Sequence, residues 1–103
     1  MRIKLPWIAV IGLLGAAVPA HADYDLAVKK NCLACHQVDK RKYGPNFKEI
    51  AAKYADQQKA ADVLARKIRR GGTGVWGQDV MPPQPQVSAA EARELARYVL
   101  SVK

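Results

Sequence analysis

Cysteine is scarce in this chain. Two cysteines in 103 residues exclude a disulfide-dense scaffold, which needs four or more. Acidic residues are also few: nine Asp and Glu stand against seventeen Lys and Arg, a formal charge of +8, so this is no acidic disordered tail. Seven glycines are too few for collagen, and no apolar run has the length repeated membrane spans require. Strand signals are missing, as are internal repeats, linkers and low-complexity segments. What remains is an ordinary globular balance, 50% hydrophobic and 25% charged, in a length that suits one domain. A core this small is marginal, so stability must come from something besides the chain.

The N-terminus reads as an address. Arg2 and Lys4 precede an uncharged stretch from Trp7 to Val18, and Ala20-His21-Ala22 is a small-x-small cleavage site. That pattern predicts a secretory signal peptide over residues 1–22, removed after Ala22, with residues 23–103 exported to a bacterial periplasm. The apolar run is shorter than the ~20 residues of a spanning helix, so stable membrane insertion is not expected. Loss of Arg2 and Lys4 leaves fifteen basic residues against nine acidic ones. It also leaves one His (His36), one Met (Met81) and one Trp (Trp76), which excludes chemistry needing several histidines or methionines in one chain.

Helical periodicity dominates the remainder. Asp23 to Lys30 reads as a short helix with Asp23 or Asp25 as its cap. Asn46-Phe-Lys-Glu49 resembles a capping box after Pro45, and Phe47, Ile50, Ala51 and Tyr54 share one helical face. A third helix is expected from near Asp56 to Gly71-Gly72, with Ala61, Leu64, Ala65 and Ile68 on its apolar side. Ser88-Ala-Ala-Glu91 caps a last helix whose stripe is Ala92, Leu95, Ala96, Val99 and Val102. Gly71 to Val87, with four glycines and three prolines, is expected to lack regular structure, and a loop this long is usually functional or disordered.

The chemical signature is Cys32-Leu-Ala-Cys35-His36, the C-x-x-C-H attachment motif of c-type haem. Two thiols at this spacing can each join a vinyl group on one porphyrin edge, which delivers the adjacent imidazole to the iron. Three other uses of the cysteines compete. A redox dithiol normally accompanies a βαβ pattern, which is not seen. Structural zinc takes four ligands, whereas the exported chain offers three Cys and His. A simple disulfide is the third. If haem is bound, the lone histidine rules out a second His ligand from the same chain. Met81, a lysine or an open site remain for the sixth position. Met81 sits in a loop and not on a helical stripe, and the prolines that follow stiffen its backbone, which favours it as the ligand.

These residues resemble the small bacterial class I cytochromes c of the c-551/c-552 group. The likeness spans nearly all of Asp23 to Lys103. It rests on Cys32-x-x-Cys35-His36, Gly44-Pro45, Ile50-Ala-Ala-Lys-Tyr54, Gly74-Val-Trp-Gly77, Met81-Pro-Pro83 and the Ser88-to-Lys103 segment. The resemblance implies an all-α cytochrome c fold of about four short helices around one covalent haem c. It also implies that the Pro45 carbonyl accepts a hydrogen bond from His36, and that Trp76 and Lys67 approach a haem propionate. Two positions depart from the group: Val80, preceded by Asp79, stands where Pro usually precedes the Met, and Gln84 stands where Asn often follows Met-Pro-Pro.

The expected function is one-electron transfer by a His/Met-ligated haem in a periplasmic shuttle, with no catalysis. A ligand-binding or peroxidase-like haem protein with a labile sixth ligand is the alternative, and an apo dithiol oxidoreductase a third reading. Lys29, Lys30, Lys40, Arg41 and Lys42 suggest a basic ring that steers acidic docking patches on redox partners. The resemblance suggests a cytochrome bc1-type donor and nitrite reductase or a terminal oxidase as acceptor. Transient contacts, a monomer and no nucleic acid are expected.

Overall fold

The computed structural model describes residues 20–103, so most of the expected leader lies outside the described residues. In chain order come α1 (Ala20–Lys29), a 3-10 turn (Cys32–Ala34), α2 (Phe47–Lys53), α3 (Ala60–Arg70), strands β1 (Gly72–Gly74) and β2 (Gly77–Met81), and α4 (Ala89–Ser101). Among the described residues no helix is long and apolar enough to cross a membrane.

Both capping boxes are present. Asn46 Oδ1 accepts from the Glu49 N–H (2.7 Å) while Glu49 Oε2 accepts from the Asn46 N–H (3.0 Å). Ser88 and Glu91 make the same reciprocal pair at the start of α4. Each satisfies donors that a helix start would leave orphaned. The other two helix starts depart from expectation. Asp23 and Asp25 lie inside α1, which starts at Ala20, and so are not at its N-cap position. The third helix begins at Ala60 and not near Asp56, because Lys59 takes a left-handed conformation (φ 63°) that a continuous helix cannot include.

The Gly71–Val87 segment holds more order than its composition suggests. Its first half is an antiparallel ribbon, with Gly72 opposite Met81 and Gly74 opposite Gly77. The reversal turns on Gly74 (φ 81°) and Gly77 (φ 71°). Neither strand has an apolar face to alternate, so periodicity could not reveal it.

The fold gathers around α4, which packs against α1, α2 and α3. Its stripe of Ala92, Leu95, Ala96 and Val99 is buried, whereas Val102 has left the helix as its C-cap. The α2 face of Phe47, Ile50, Ala51 and Tyr54 is buried against it. On α3 only Leu64 of the expected stripe is fully buried; Ala61, Ala65 and Ile68 are half-buried. Leu64 and Ile68 look onto a cleft that α4 does not fill.

Candidate functional site

The C-x-x-C-H segment is wound into one tight turn. The Cys35 and His36 N–H groups both donate to the Cys32 carbonyl, at 3.2 and 3.0 Å. This winding brings Cys32, Cys35 and His36 together onto the wall of a single cleft. Both thiols are free. Burial pushes the Cys32 thiol above its ordinary pKa.

The next residues orient the imidazole. His36 Nδ1 lies 2.7 Å from the Pro45 carbonyl oxygen. A carbonyl can only accept, so Nδ1 is the donor, and in the neutral ring Nε2 is left with its lone pair. That is the tautomer a metal ligand requires. The Phe47 ring stacks on the imidazole at 5.6 Å between centroids. Gly44 approaches it so closely that an added Cβ would stand 3.0 Å from His36 Cε1. Hydrogen bonds from Gly44 N to Cys35 O (2.9 Å) and from Phe47 N to Gln37 O (2.9 Å) close this loop on itself. The residues before α2 and its first residue thus form one mount for His36.

Met81 reaches the same cleft from β2. Gly71 packs directly beneath it: a Cβ there would fall 2.5 Å from the Met81 carbonyl oxygen. The Gln84 N–H donates to the Arg69 carbonyl (3.3 Å), which pins the following segment to the end of α3. The Gln84 amide is engaged elsewhere than at the Met81 sulfur. Its Nε2 donates to the Pro82 carbonyl (3.0 Å) and its Oε1 accepts from Gln86 (2.7 Å). Gln86 in turn donates to the Lys30 carbonyl at 3.0 Å, which ties this loop to the end of α1.

The cleft encloses about 1220 Å³ of atom-free space, part of it open to solvent. Side chains of all four helices face it, including Ala27, Ile50, Leu64 and Leu95. Trp76, in the ribbon turn, and Lys67, on α3, also line it. Lys53 holds its ammonium 5.2 Å from the Trp76 ring centroid, a cation–π contact. The chemistry fits a large planar macrocycle fastened by two thiols, with an imidazole and a thioether available to its metal. The rival readings fit less well. Among the described residues no group of three or more His, Cys, Asp or Glu converges as a metal site. Among the described residues the sheet is one two-stranded antiparallel ribbon, with no βαβ unit.

The basic cluster divides. Lys30 turns inward, pairing with Glu91 (3.1 Å) and donating to the Gln86 carbonyl (3.1 Å). Arg41 pairs with both Glu49 (3.4 Å) and Asp79. Among the described residues Lys29, Lys40 and Lys42 pair with no carboxylate and are exposed. Sequence reasoning missed the Phe47 stack, the Lys53–Trp76 contact, the Gly71 support and the Arg41–Asp79 pair. Only the last left a trace, in the unusual Asp79-Val80 before Met81.

Comparison with known proteins addresses the chain as a whole. The cytochrome c family matches residues 24–103. Cytochrome c-552 of Nitrosomonas europaea is 48% identical over 103 residues, covering 98% of this chain and all of that one. Cytochrome c-552 of Hydrogenobacter thermophilus is 47% identical over 100 residues, 97% of this chain and 98% of its own. The crystal structure of the wild-type Nitrosomonas europaea cytochrome c552 superposes with a TM-score of 0.76 at 55% identity, covering 78% of this chain and 99% of that chain.

Proposed function

The chain belongs to the cytochrome c family, in its small class I c-551/c-552 group, and is an electron carrier and not an enzyme; from that premise we propose how its residues carry the electron. The family implies a covalent c-type haem. Cys32 and Cys35 would hold it by thioether bonds, with His36 Nε2 and Met81 Sδ on its iron, and it supplies reversible one-electron exchange between ferric and ferrous states. The observation that carries this reading is the convergence of those four side chains on one cleft, with the His36 proton already committed to Pro45.

The remaining residues act on that centre by position and charge. Pro45 and Phe47 fix the imidazole plane, so no reorientation accompanies electron transfer. Met81 would fill the position where a substrate would otherwise bind, which would restrict the protein to electron exchange. The thioether favours the reduced state, and so do the apolar cleft walls, which disfavour the extra ferric charge. Trp76 and Lys67, which line the cleft, would receive a propionate, Trp76 through its indole N–H and Lys67 through its ammonium.

The protein works in the periplasm, and residues 1–22 are the leader, cleaved after Ala22. Exposed Lys29, Lys40 and Lys42 steer redox partners with acidic patches, a cytochrome bc1-type donor and a nitrite reductase or terminal oxidase as acceptor. Lys30 and Arg41 drop out of that ring because their charges are met within the fold.

Optical spectra of the oxidised and reduced protein test the ligand set. The ferric form should show the weak near-red band of thioether–iron ligation, and Met81→Ala should abolish it and lower the potential. A spectrum indifferent to Met81→Ala would falsify the axial assignment.

A further inference from the structure

We propose that Arg41 and Asp79 form a latch that sets how firmly Met81 is held against the iron, so that both are positioning residues for the sixth ligand. This rests on the reading of Met81 as a ligand. Asp79 precedes Met81 by two residues on β2, and side chains two apart on a strand face the same side. The exposure pattern agrees. All three residues border the cleft, but Asp79 and Met81 are half-buried whereas Val80 between them is 67% exposed. A pull on the Asp79 carboxylate is therefore a pull on the face that carries the thioether.

The other end of the latch is firmly seated. Arg41 spreads its guanidinium between two carboxylates, Nη1 towards Glu49 Oε1 (3.4 Å) and Nη2 on Asp79 Oδ2. Glu49 is itself fixed by the Asn46 N–H (3.0 Å), one residue after Pro45, which holds His36. The chain of contacts runs from the mount of the proximal ligand, through Arg41, to the strand of the distal one. The open end of the hairpin is tied to α3 by Gly71 and by the Gln84–Arg69 hydrogen bond. Among the described residues, Arg41–Asp79 is the ion pair that joins the ribbon to the segment between His36 and α2. A planar two-pronged cation suits this bridge better than a lysine.

Added imidazole competes with the thioether for ferric iron, so its apparent affinity reports how tightly Met81 is held. The experiment compares the parent protein with Arg41→Gln, Asp79→Asn and the exchanged pair Arg41→Asp/Asp79→Arg, by imidazole titration and the near-red band. Each single variant should bind imidazole roughly two- to fivefold more tightly, the scale of a partly exposed ion pair. The exchanged pair should return towards the parent, which a loss of general stability would not do. Single variants with parental imidazole affinity, or an exchanged pair no better than the singles, overturn the latch. Met81→Ala separates the two ideas. If it removes the near-red band while the latch variants change nothing, the latch alone fails. If it leaves the band intact, the axial assignment fails and the latch with it.

Discussion

The proposed centre turns on His36, and much of that proposed role is legible in the sequence. C-x-x-C-H marks the expected attachment, and the family resemblance carried by Gly44-Pro45 implies the carbonyl that accepts the imidazole's hydrogen bond. What could not be read is the crowding that makes this orientation unique: the stacked Phe47 ring and the absent Cβ at Gly44. Contacts of this kind depend on tertiary approach, and one-dimensional spacing carries no record of it. Gly71 is a second case. In sequence it is half of a Gly-Gly helix stop. In the fold it has φ 79° and lies against the Met81–Pro83 backbone, where a Cβ would meet Met81 O at 2.5 Å and Pro83 N at 2.9 Å. Backbone atoms cannot rotate away as a side chain tip can, so Gly71→Ala must displace the segment that carries the thioether. The substitution should cost more than about 1 kcal/mol, since left-handed strain and a steric clash act together. Thermal unfolding should shift down by at least about 4 °C, and the near-red band should weaken in the same variant. The similar change at Gly74 meets no atom within 4 Å and should leave the band intact.

Among the elements, helices announced themselves and the ribbon did not. Asn46-x-x-Glu49 and Ser88-x-x-Glu91 are local signals, each complete within four residues, and both boxes form as read. The β1–β2 ribbon owes its shape to two positive-φ glycines and to Gly71 beneath Met81, and none of these leaves an alternating pattern. The start of α3 was misplaced for a related reason, a left-handed Lys59 that no propensity favours. The α4 box supports a quantitative expectation. Ser88→Ala removes the acceptor for the Glu91 N–H and should cost about 1 kcal/mol. Glu91 adds a pH dependence. The Ser88 N–H, and then Lys30, hold its carboxyl below the usual carboxylate range. A folded pKa below the unfolded one gives stability that is present above the unfolded value, about 4.3, and lost as pH falls through the folded value. Acid unfolding of Glu91→Gln should therefore have a shallower slope in that window than the parent. Equal slopes would show that the depression contributes nothing.

At the scale of the molecule the question is what fills the middle. Among the described residues twelve hydrophobic side chains are buried, and five of them are alanines. Alanine brings little apolar area, so the protein's own contribution to the core is thin. The two buried clusters, one around Phe47, Leu64 and Val99 and the other around Val87 and Leu95, touch the same half-buried Cys32, Leu33, Ala65, Ile68 and Tyr98. Of those shared residues, Cys32 and Ile68 line the cleft. Each helix thus presents its inner face partly to a neighbour and partly to the cleft. A group fastened there completes all four faces at once, and this answers the deficit that composition alone exposed. The thioether bonds then matter for folding as well as for placement. Without them the macrocycle would be held by its axial ligands and apolar contact only, and a chain of this size has little else to order it. The double variant Cys32→Ser/Cys35→Ser, purified from the export compartment, should lack covalently bound haem in a pyridine haemochrome assay. Its far-UV circular dichroism should show reduced helix, and its thermal transition should be broad and lowered or missing. A sharp transition at the parental temperature in that variant would mean that the four helices find their core without the haem, and that the cleft is a binding site laid into a fold already stable by itself.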